Sequence, residues 1–324
     1  MQNFKFISSK ITDAQFNIAS EEYLLKRTDG FYFYLWQNSP SVIVGSNQNT
    51  LLEVNVQKAQ EKCVKIVRRL TGGGAVYHDL GNVCYTIIAP YEKEENAFRF
   101  LSAPLISFLK TLGVTAEFSG RNDILIDGKK ISGTAQVIYK DRVLHHGTIL
   151  FDTDLNALSE VLTANKLKTE SKGVKSVKAR VTNVKDYLKT DMNVEEFFNA
   201  LCSFFSNNLE EYKFTSNDLD EINKLVKEKY STYEWNIGYS PKGKSRFDGR
   251  FIFGTLTLTF DLVDGLIDNA EIFGDYFAKG DIKPIAENLN GKTFTETDFE
   301  EALQGIENVI DGASAREIAN KIFN

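Results

Sequence analysis

Between residues 123 and 152, three β-rich segments, DILID, GTAQVIY and HHGTILF, follow one another across two short breaks, Asp127-Gly128 and Lys140-Asp141-Arg142. Breaks of this turn-forming chemistry join antiparallel neighbours, so the run reads as a meander. A chain built around such a meander cannot be a regular βαβ repeat. The flanking patterns agree. Residues 13–26 place Phe16, Ala19, Tyr23 and Leu24 on one helical face behind an Asp13 cap, and residues 95–112 do the same with Phe98, Leu101, Leu105, Phe108 and Leu109. FYFYLWQ (31–37) and SVIVG (41–45) form a hairpin-like pair around Asn38-Ser39-Pro40. Asn55 can cap a helix through Cys63, KIVRR reads as a strand, and VCYTIIA (83–89) reads as a buried strand. Helices are expected at 194–209 and 218–231. The fold class is therefore α+β, with a large mixed, largely antiparallel sheet rather than a Rossmann fold.

NIGYSPKGKSRFDG (236–249) is rich in glycine and charge and reads as a linker zone. After it, residues 251–274 alternate like strands around Asp264-Gly265, and 282–290, 297–306 and 315–323 read as helices. The 324 residues thus divide into a larger domain, 1–240, and a smaller α+β domain, 241–324.

The net charge of −6 argues against a general nucleic-acid or anionic-membrane binder. No window is apolar enough to span a bilayer, and MQNFKFISSKITDAQF lacks the parts of a secretory signal, so a cytoplasmic location is expected. Cys63, Cys84 and Cys202 are widely spaced and odd in number, which reads as free thiols rather than a disulfide or zinc framework. None has an activating environment in the sequence. Only Cys84 lies near a histidine, and strand periodicity does not bring the two together.

The chemistry concentrates in RRLTGGGAVYHDLGN (68–82). Gly72, Gly73 and Gly74 lack Cβ atoms, so their backbone can approach an anionic or planar ligand, though a plain bulged turn uses the same residues. Arg68 and Arg69 offer anion contacts on one side, His78 and Asp79 polar groups on the other. The other two histidines, His145 and His146, are adjacent on a strand, so at most one faces a pocket, and HH is no metal motif. Lys130, beside the small residues of SGTA, can neutralise a phosphate or carboxylate, although one lysine among many is commonly a surface charge. GYSPKGKS (238–245) matches G-x-x-x-x-G-K-S formally, but a strand pattern follows Ser245 where a phosphate loop requires a helix. The basic run 166–186 reads as a solvated loop or as a docking site for an acidic partner.

In their order along the chain, NIASEEYLL (17–25), PSVIVGSNQN (40–49), RRLTGGGAVYHDLGN (68–82), GRNDILIDGKKISGTA (120–135), HHGTILFDTDL (145–155), KSVKARVTNV (175–184), EWNIGYSP (234–241) and GDYF (274–277) resemble the lipoate-protein ligase family, in its large form with a C-terminal accessory domain. The resemblance implies a biotin/lipoate ligase type of fold. It also implies activation of lipoate with ATP and Mg²⁺ to lipoyl-AMP, then transfer to a lysine of an acceptor. The acceptors it implies are lipoyl domains of 2-oxoacid dehydrogenase subunits or the glycine-cleavage H protein. By the same resemblance, Lys130 stabilises the phosphate and the acyl carbonyl, and Arg69 and Thr71 line the acyl-adenylate pocket. Gly73 and Gly74 give close backbone approach, Tyr77 and His78 border the adenine, Asn82 and Asp123 position phosphate and metal, and His146 lies near the lipoyl chain. The alternatives are a cysteine-dependent octanoyl or lipoyl transferase, against which the C-terminal domain argues, and a noncatalytic lipoyl-binding relay protein, against which Lys130, Asp123 and Asn82 argue.

Overall fold

The computed structural model describes residues 4–323 apart from 49, 55, 92–96, 121, 162–180, 208, 239–244 and 264–265. Eight strands form the main sheet: β1 (Phe4–Ser8), β2 (Phe31–Trp36), β6 (Asn82–Pro90), β7 (Glu117–Ser119), β8 (Asp123–Ile126), β9 (Lys129–Tyr139), β10 (Arg142–Leu150) and β11 (Glu210–Glu211). Their spatial order is β11-β1-β2-β6-β10-β9-β8-β7. The meander β8-β9-β10 is antiparallel, as its turns require, and β6 closes against both β10 and β2. β1 and β2 are parallel and joined through helix α1 (Ala14–Lys26), so the sheet is mixed. The Asp13 side chain accepts the Phe16 N–H at 3.0 Å and caps that helix.

The segment Ser41–Val44 is not the second arm of a hairpin. β2 is already paired on both edges, by β1 and β6, so no ladder is free for it. It becomes β3, the centre of a small sheet in which β4 (Lys65–Arg68) runs parallel to it and β5 (Val76–His78) antiparallel. One face of the main sheet packs α1 through Ile18, Ala19, Leu24, Tyr34, Trp36 and Leu144. The other packs helices Ala97–Thr111 and Val194–Ser206 through Phe33, Tyr85, Phe108, Phe197 and Leu201. The expected helix 218–231 starts at Ser216 and continues from Val226 to Tyr230 as a π-helical turn.

In the expected linker zone, Ser245–Phe251 is a strand, β12, paired with β13 (Gly254–Val263), which in turn pairs with β14 (Leu266–Gly274). Its partners explain the reassignment: Phe247 and Phe251 join an apolar cluster drawn only from residues 247–323, which the polar neighbours hide in a composition reading. Most of the formal phosphate-loop match lies outside the described residues, as do the expected Asn55 cap, the Asp264-Gly265 turn and residues 166–180 of the basic run. A strand follows Ser245, so the helix a phosphate loop needs is missing there. Among the described residues no helix is long and apolar enough to cross a membrane.

Arg68 is not an anion contact. Its buried guanidinium donates to the carbonyls of Gly45, Ser46, Gln48 and Trp235 and to Thr50 Oγ1, at 2.6–3.3 Å. It thereby ties the turn after β3 to the π-helical segment Glu234–Gly238. Arg68→Ala strands these acceptors without donors in a dry environment, and urea unfolding is expected to lose at least about 3 kcal/mol.

Candidate active site

A cavity of about 170 Å³ lies between the two sheets. Its floor crosses the main sheet along one row of paired residues. Trp36 on β2 faces Cys84 on β6, Cys84 faces Thr148 on β10, and the Thr148 hydroxyl takes the Gly133 N–H of β9 at 3.3 Å. Three strand spacings separate the ends of this row, about 14 Å. Ile43, Val76 and His78 of the small sheet and the loop Gly73–Gly74 form the opposite wall, and Ile18 of α1 and Phe277 complete the lining.

The two ends differ. Trp36, Cys84 and His78 are at most 3% exposed, whereas the side chains of Lys130 and Asp123 are 35% and 36% exposed. The cavity is therefore closed at one end and has a charged mouth, with apolar and polar side chains mixed along its wall. Lys130 Nζ pairs with Asp123 Oδ1 at 2.7 Å. A bulge in the β8-β9 pairing skips Ile131, turning that side chain into the core while Lys130 faces the mouth. Gly133 makes room for the ammonium, since a Cβ there would sit 2.8 Å from Nζ.

The glycine loop is held from behind by Arg69. This buried guanidinium donates to the carbonyls of Ile43, Gly72 and Gly74 and to Thr71 Oγ1, at 2.7–3.0 Å. Burial lowers its pKa to about 10, which leaves it charged at neutral pH. Gly73 takes φ +91°, and its N–H donates to Tyr276 O at 3.3 Å, so the segment after β14 sits on the loop. Asn47 adds a bond from its side chain to Tyr276 O and accepts the Gly274 N–H. Phe277 packs on Phe98 with centroids 5.6 Å apart.

His146, not His145, faces the cavity. Its Nε2 lies 2.7 Å from Thr71 Oγ1 and its Nδ1 2.8 Å from Glu21 Oε1. The same carboxylate oxygen accepts the Thr86 hydroxyl at 2.6 Å, and Thr86 accepts the Trp36 indole N–H at 2.9 Å. His145 points through the sheet to Gln136, 2.9 Å from its Nδ1, with Ser102 Oγ 3.5 Å from its Nε2.

The strand period also separates Tyr77 from His78. Tyr77 packs among Val42, Val44, Val54, Ala59 and Val64, away from the cavity, whereas His78 lines the closed end with its ring 6.1 Å from Trp36. They do not form one border, and His78 is remote from the exposed mouth. Thr71 and Asn82 stand one residue behind the lining. Asn82 Nδ2 donates to Cys84 Sγ at 3.1 Å, and among the described residues its buried Oδ1 has no hydrogen-bond partner. The structure does bring Cys84 and His78 together, with Sγ 3.6 Å from Nδ1, because Cys84 and the end of β5 meet across the cavity rather than along a strand. Burial and the Glu21 carboxylate push the Cys84 thiol well up, the opposite of activation.

A family model described as the lipoyl protein ligase A/B catalytic domain matches residues 13–206, and one described as the bacterial lipoate protein ligase C-terminus matches 240–322. The lipoate-protein ligase LplJ of Bacillus subtilis is 40% identical over 92% of this chain and 93% of its own, and lipoate–protein ligase 1 of Staphylococcus aureus is 40% identical over the same shares. The chain belongs to the lipoate-protein ligase family. It is an enzyme of that family, with the same α+β architecture. The crystal structure of P. falciparum LipL1 in complex with lipoate superposes with a TM-score of 0.76 at 27% identity, over 98% of each chain. Lipoate-protein ligase A bound with ATP gives 0.62 at 29% identity, over 73% of this chain and 98% of its own.

Glu21, Trp36, Thr86 and Phe277 belong to this site in the ligase and were not singled out from the sequence. Helical periodicity gave no signal for Glu21, which falls about 130° from the centre of the face marked by Phe16, Ala19 and Leu24; it is buried because α1 is covered on nearly all sides.

Burial pushes the His78 and His145 rings down to about 3. Unfolded, each titrates near 6.5, so between pH 6.5 and 3 the unfolded chain binds more protons. Their contribution to stability is complete above pH 6.5 and is lost as pH falls toward 3, with a slope of at most about 2.7 kcal/mol per pH unit for the two. Urea titrations at about pH 7, 5.5 and 4.5 are expected to show this decline, and His145→Gln is expected to reduce the slope by about half.

Proposed function

We propose that this ligase activates lipoate with ATP to lipoyl-AMP and passes the lipoyl group to a specific lysine of an acceptor domain. One observation carries the reading: a cavity closed at one end crosses four strands, about 14 Å, and reaches Lys130 at its mouth, with the glycine loop in the opposite wall. An extended acid fits there with its tail inward and its carboxylate at the mouth. Attack of that carboxylate on the α-phosphorus forms a C–O–P linkage and expels pyrophosphate. Lys130 is suited to hold the phosphate and acyl oxygens as charge builds on them. The backbone of Gly73 and Gly74 leaves room for close approach of the phosphate. The acceptor amine then attacks the acyl carbonyl and AMP departs.

Among the described residues no three His, Cys, Asp or Glu converge. Asp123 at the mouth can offer one carboxylate to a Mg²⁺ carried largely by the ATP phosphates, whereas Asn82, fully buried beside Cys84 three strands away, is too far from Asp123 to share that ion. Bound that way, it would neutralise charge on the leaving pyrophosphate. The high pKa of the Cys84 thiol speaks against a thioester route. The acceptors we infer are lipoyl domains of 2-oxoacid dehydrogenase subunits or the glycine-cleavage H protein. A Thermoplasma acidophilum bipartite lipoate protein ligase, 30% identical over 76% of this chain and 100% of its own with a TM-score of 0.66, has been solved as part of a system with an E2 lipoyl domain.

Lys130→Ala is expected to fold normally and to lower pyrophosphate release from ATP and lipoate by at least about a hundredfold. Release within a few-fold of wild type removes Lys130 from this role.

We assign residues 1–240 to lipoate and ATP and 241–324 to a cover over the nucleotide side. Contacts of Tyr276 and Phe277 with Gly73 and Phe98 support this division. The 1–240 fragment is expected to lose adenylation yet to transfer lipoate from supplied lipoyl-AMP, read as acceptor mass. Equal retention of both steps denies the second domain a catalytic part.

A further inference from the structure

The blind end of the cavity contains a polar chain that the adenylation chemistry does not use. Asn17 Nδ2 donates to the backbone carbonyls of Ile11 and Gln37, each at 2.9 Å. Carbonyls only accept, so the orientation of this amide is fixed, and Tyr34 OH donates to its Oδ1 at 2.7 Å. The same Nδ2 reaches Asn38 Oδ1 at 3.0 Å, which leaves Asn38 Nδ2 facing His78 Nδ1 at 3.1 Å. Nδ1 must then accept, and the ring proton sits on Nε2. Two backbone carbonyls thus dictate a histidine tautomer three residues away in the chain of bonds.

The proton so placed has no adequate acceptor. Among the described residues the nearest partner of Nε2 is Cys84 Sγ at 4.0 Å, too long for a good N–H hydrogen bond. The ring is 3% exposed and lines the cavity beside Trp36 and Cys84. Burial together with the Arg69 charge keeps it neutral. A buried donor left unmet is costly, so an occupant that meets it is favoured over one that cannot.

Resting on the functional reading above, which sends the tail of the acid to this end, we propose that the His78 Nε2–H reads a dithiolane sulfur of lipoate, and that Asn17 and Asn38 are positioning residues for selection of sulfur-bearing over plain alkyl acids. A disulfide sulfur is a weak but polarisable acceptor, whereas a terminal methyl group leaves the donor stranded. The neighbouring Cys84 gives the ring a soft contact. Because its thiol stays protonated, the disulfide is not opened by exchange, which needs the thiolate.

The test uses the full-length enzyme and compares kcat/KM for lipoate and octanoate in ATP-dependent pyrophosphate release. Asn38→Asp has nearly the same shape but presents an acceptor to Nδ1, which draws the ring proton away from Nε2. The lipoate-to-octanoate ratio is expected to fall about tenfold, mainly through the KM for lipoate. An unchanged ratio in a variant that retains its unfolding midpoint overturns the proposal. His78→Gln and His78→Leu provide an independent pair should Asn38→Asp not fold. Glutamine retains an N–H donor and is expected to hold the ratio closer to wild type than leucine; equal ratios for the two overturn the proposal. Wild-type enzyme that releases pyrophosphate with neither acid refutes the functional reading itself, and the selectivity proposal with it, whereas activity on both acids with a ratio insensitive to these changes refutes the selectivity proposal alone.

Discussion

A single buried cation, the Arg69 guanidinium, fixes the backbone on which the site depends. Three consecutive glycines have no side chains with which to hold a shape, and their freedom costs entropy when they are ordered. Arg69 supplies the missing restraint by gathering the carbonyls of Gly72 and Gly74 with that of Ile43 on β3. Its fourth contact, to Thr71 Oγ1, passes the restraint to His146, then to Glu21, Thr86 and Trp36. The loop at the mouth and the aromatic ring at the blind end are thus oriented by one buried network. In such an environment each unsatisfied member costs more than it would in water, so the network favours one arrangement of both ends.

Adjacent residues repeatedly divide between site and scaffold. At the end of β4, Arg68 ties the turn after β3 to the π-helical segment, while the next residue, Arg69, turns to the glycine loop. On α1, Glu21 faces the cavity network, while Glu22 takes Tyr230 OH at 2.5 Å and Lys229 at 2.8 Å. On β10, His146 joins Thr71 and Glu21 as His145 turns to Gln136. A strand sends neighbours to opposite faces, and successive residues on a helix are about 100° apart, so each doublet couples a functional surface to a structural one. The cost is that a shift of register by one residue would exchange the two roles.

This division also marks the limit of what the sequence discloses. The meander, the Asp13-capped helix and the glycine loop are local, since a turn, a cap or a periodic face is written in consecutive residues. The antiparallel pairing of β8, β9 and β10 followed from two short breaks. The fate of SVIVG did not, because it depends on β2 having both edges occupied by β1 and β6, strands that lie before and after it in the chain. Ser245–Phe251 was obscured by its polar positions, although Phe247 and Phe251 point into the C-terminal core. Among the site residues, a hydrogen bond between Glu21 and His146 spans 125 positions, and no local pattern announces it. Cys84 and His78 illustrate the same limit: strand periodicity gives the face of each residue but not what another sheet lays across it.

The floor of the cavity sets its length in coarse steps. Trp36, Cys84, Thr148 and Gly133 sit on four successive strands whose separation is fixed by backbone hydrogen bonds at about 4.8 Å. Moving the mouth by one strand would change the depth by that full spacing, far more than a single methylene unit, and would also carry Lys130 and its Asp123 partner away from the glycine loop. The strand order can therefore hold the charged pair at the mouth but cannot tune the fit at the closed end. Fine discrimination must come from the side chains that close the far end, where Trp36 is pinned through Thr86 and His78 through Asn38. Both rings are locked by buried hydrogen bonds rather than by packing alone, so the end wall keeps one shape and one pattern of donors. A pocket with that property selects for chemistry as well as for length.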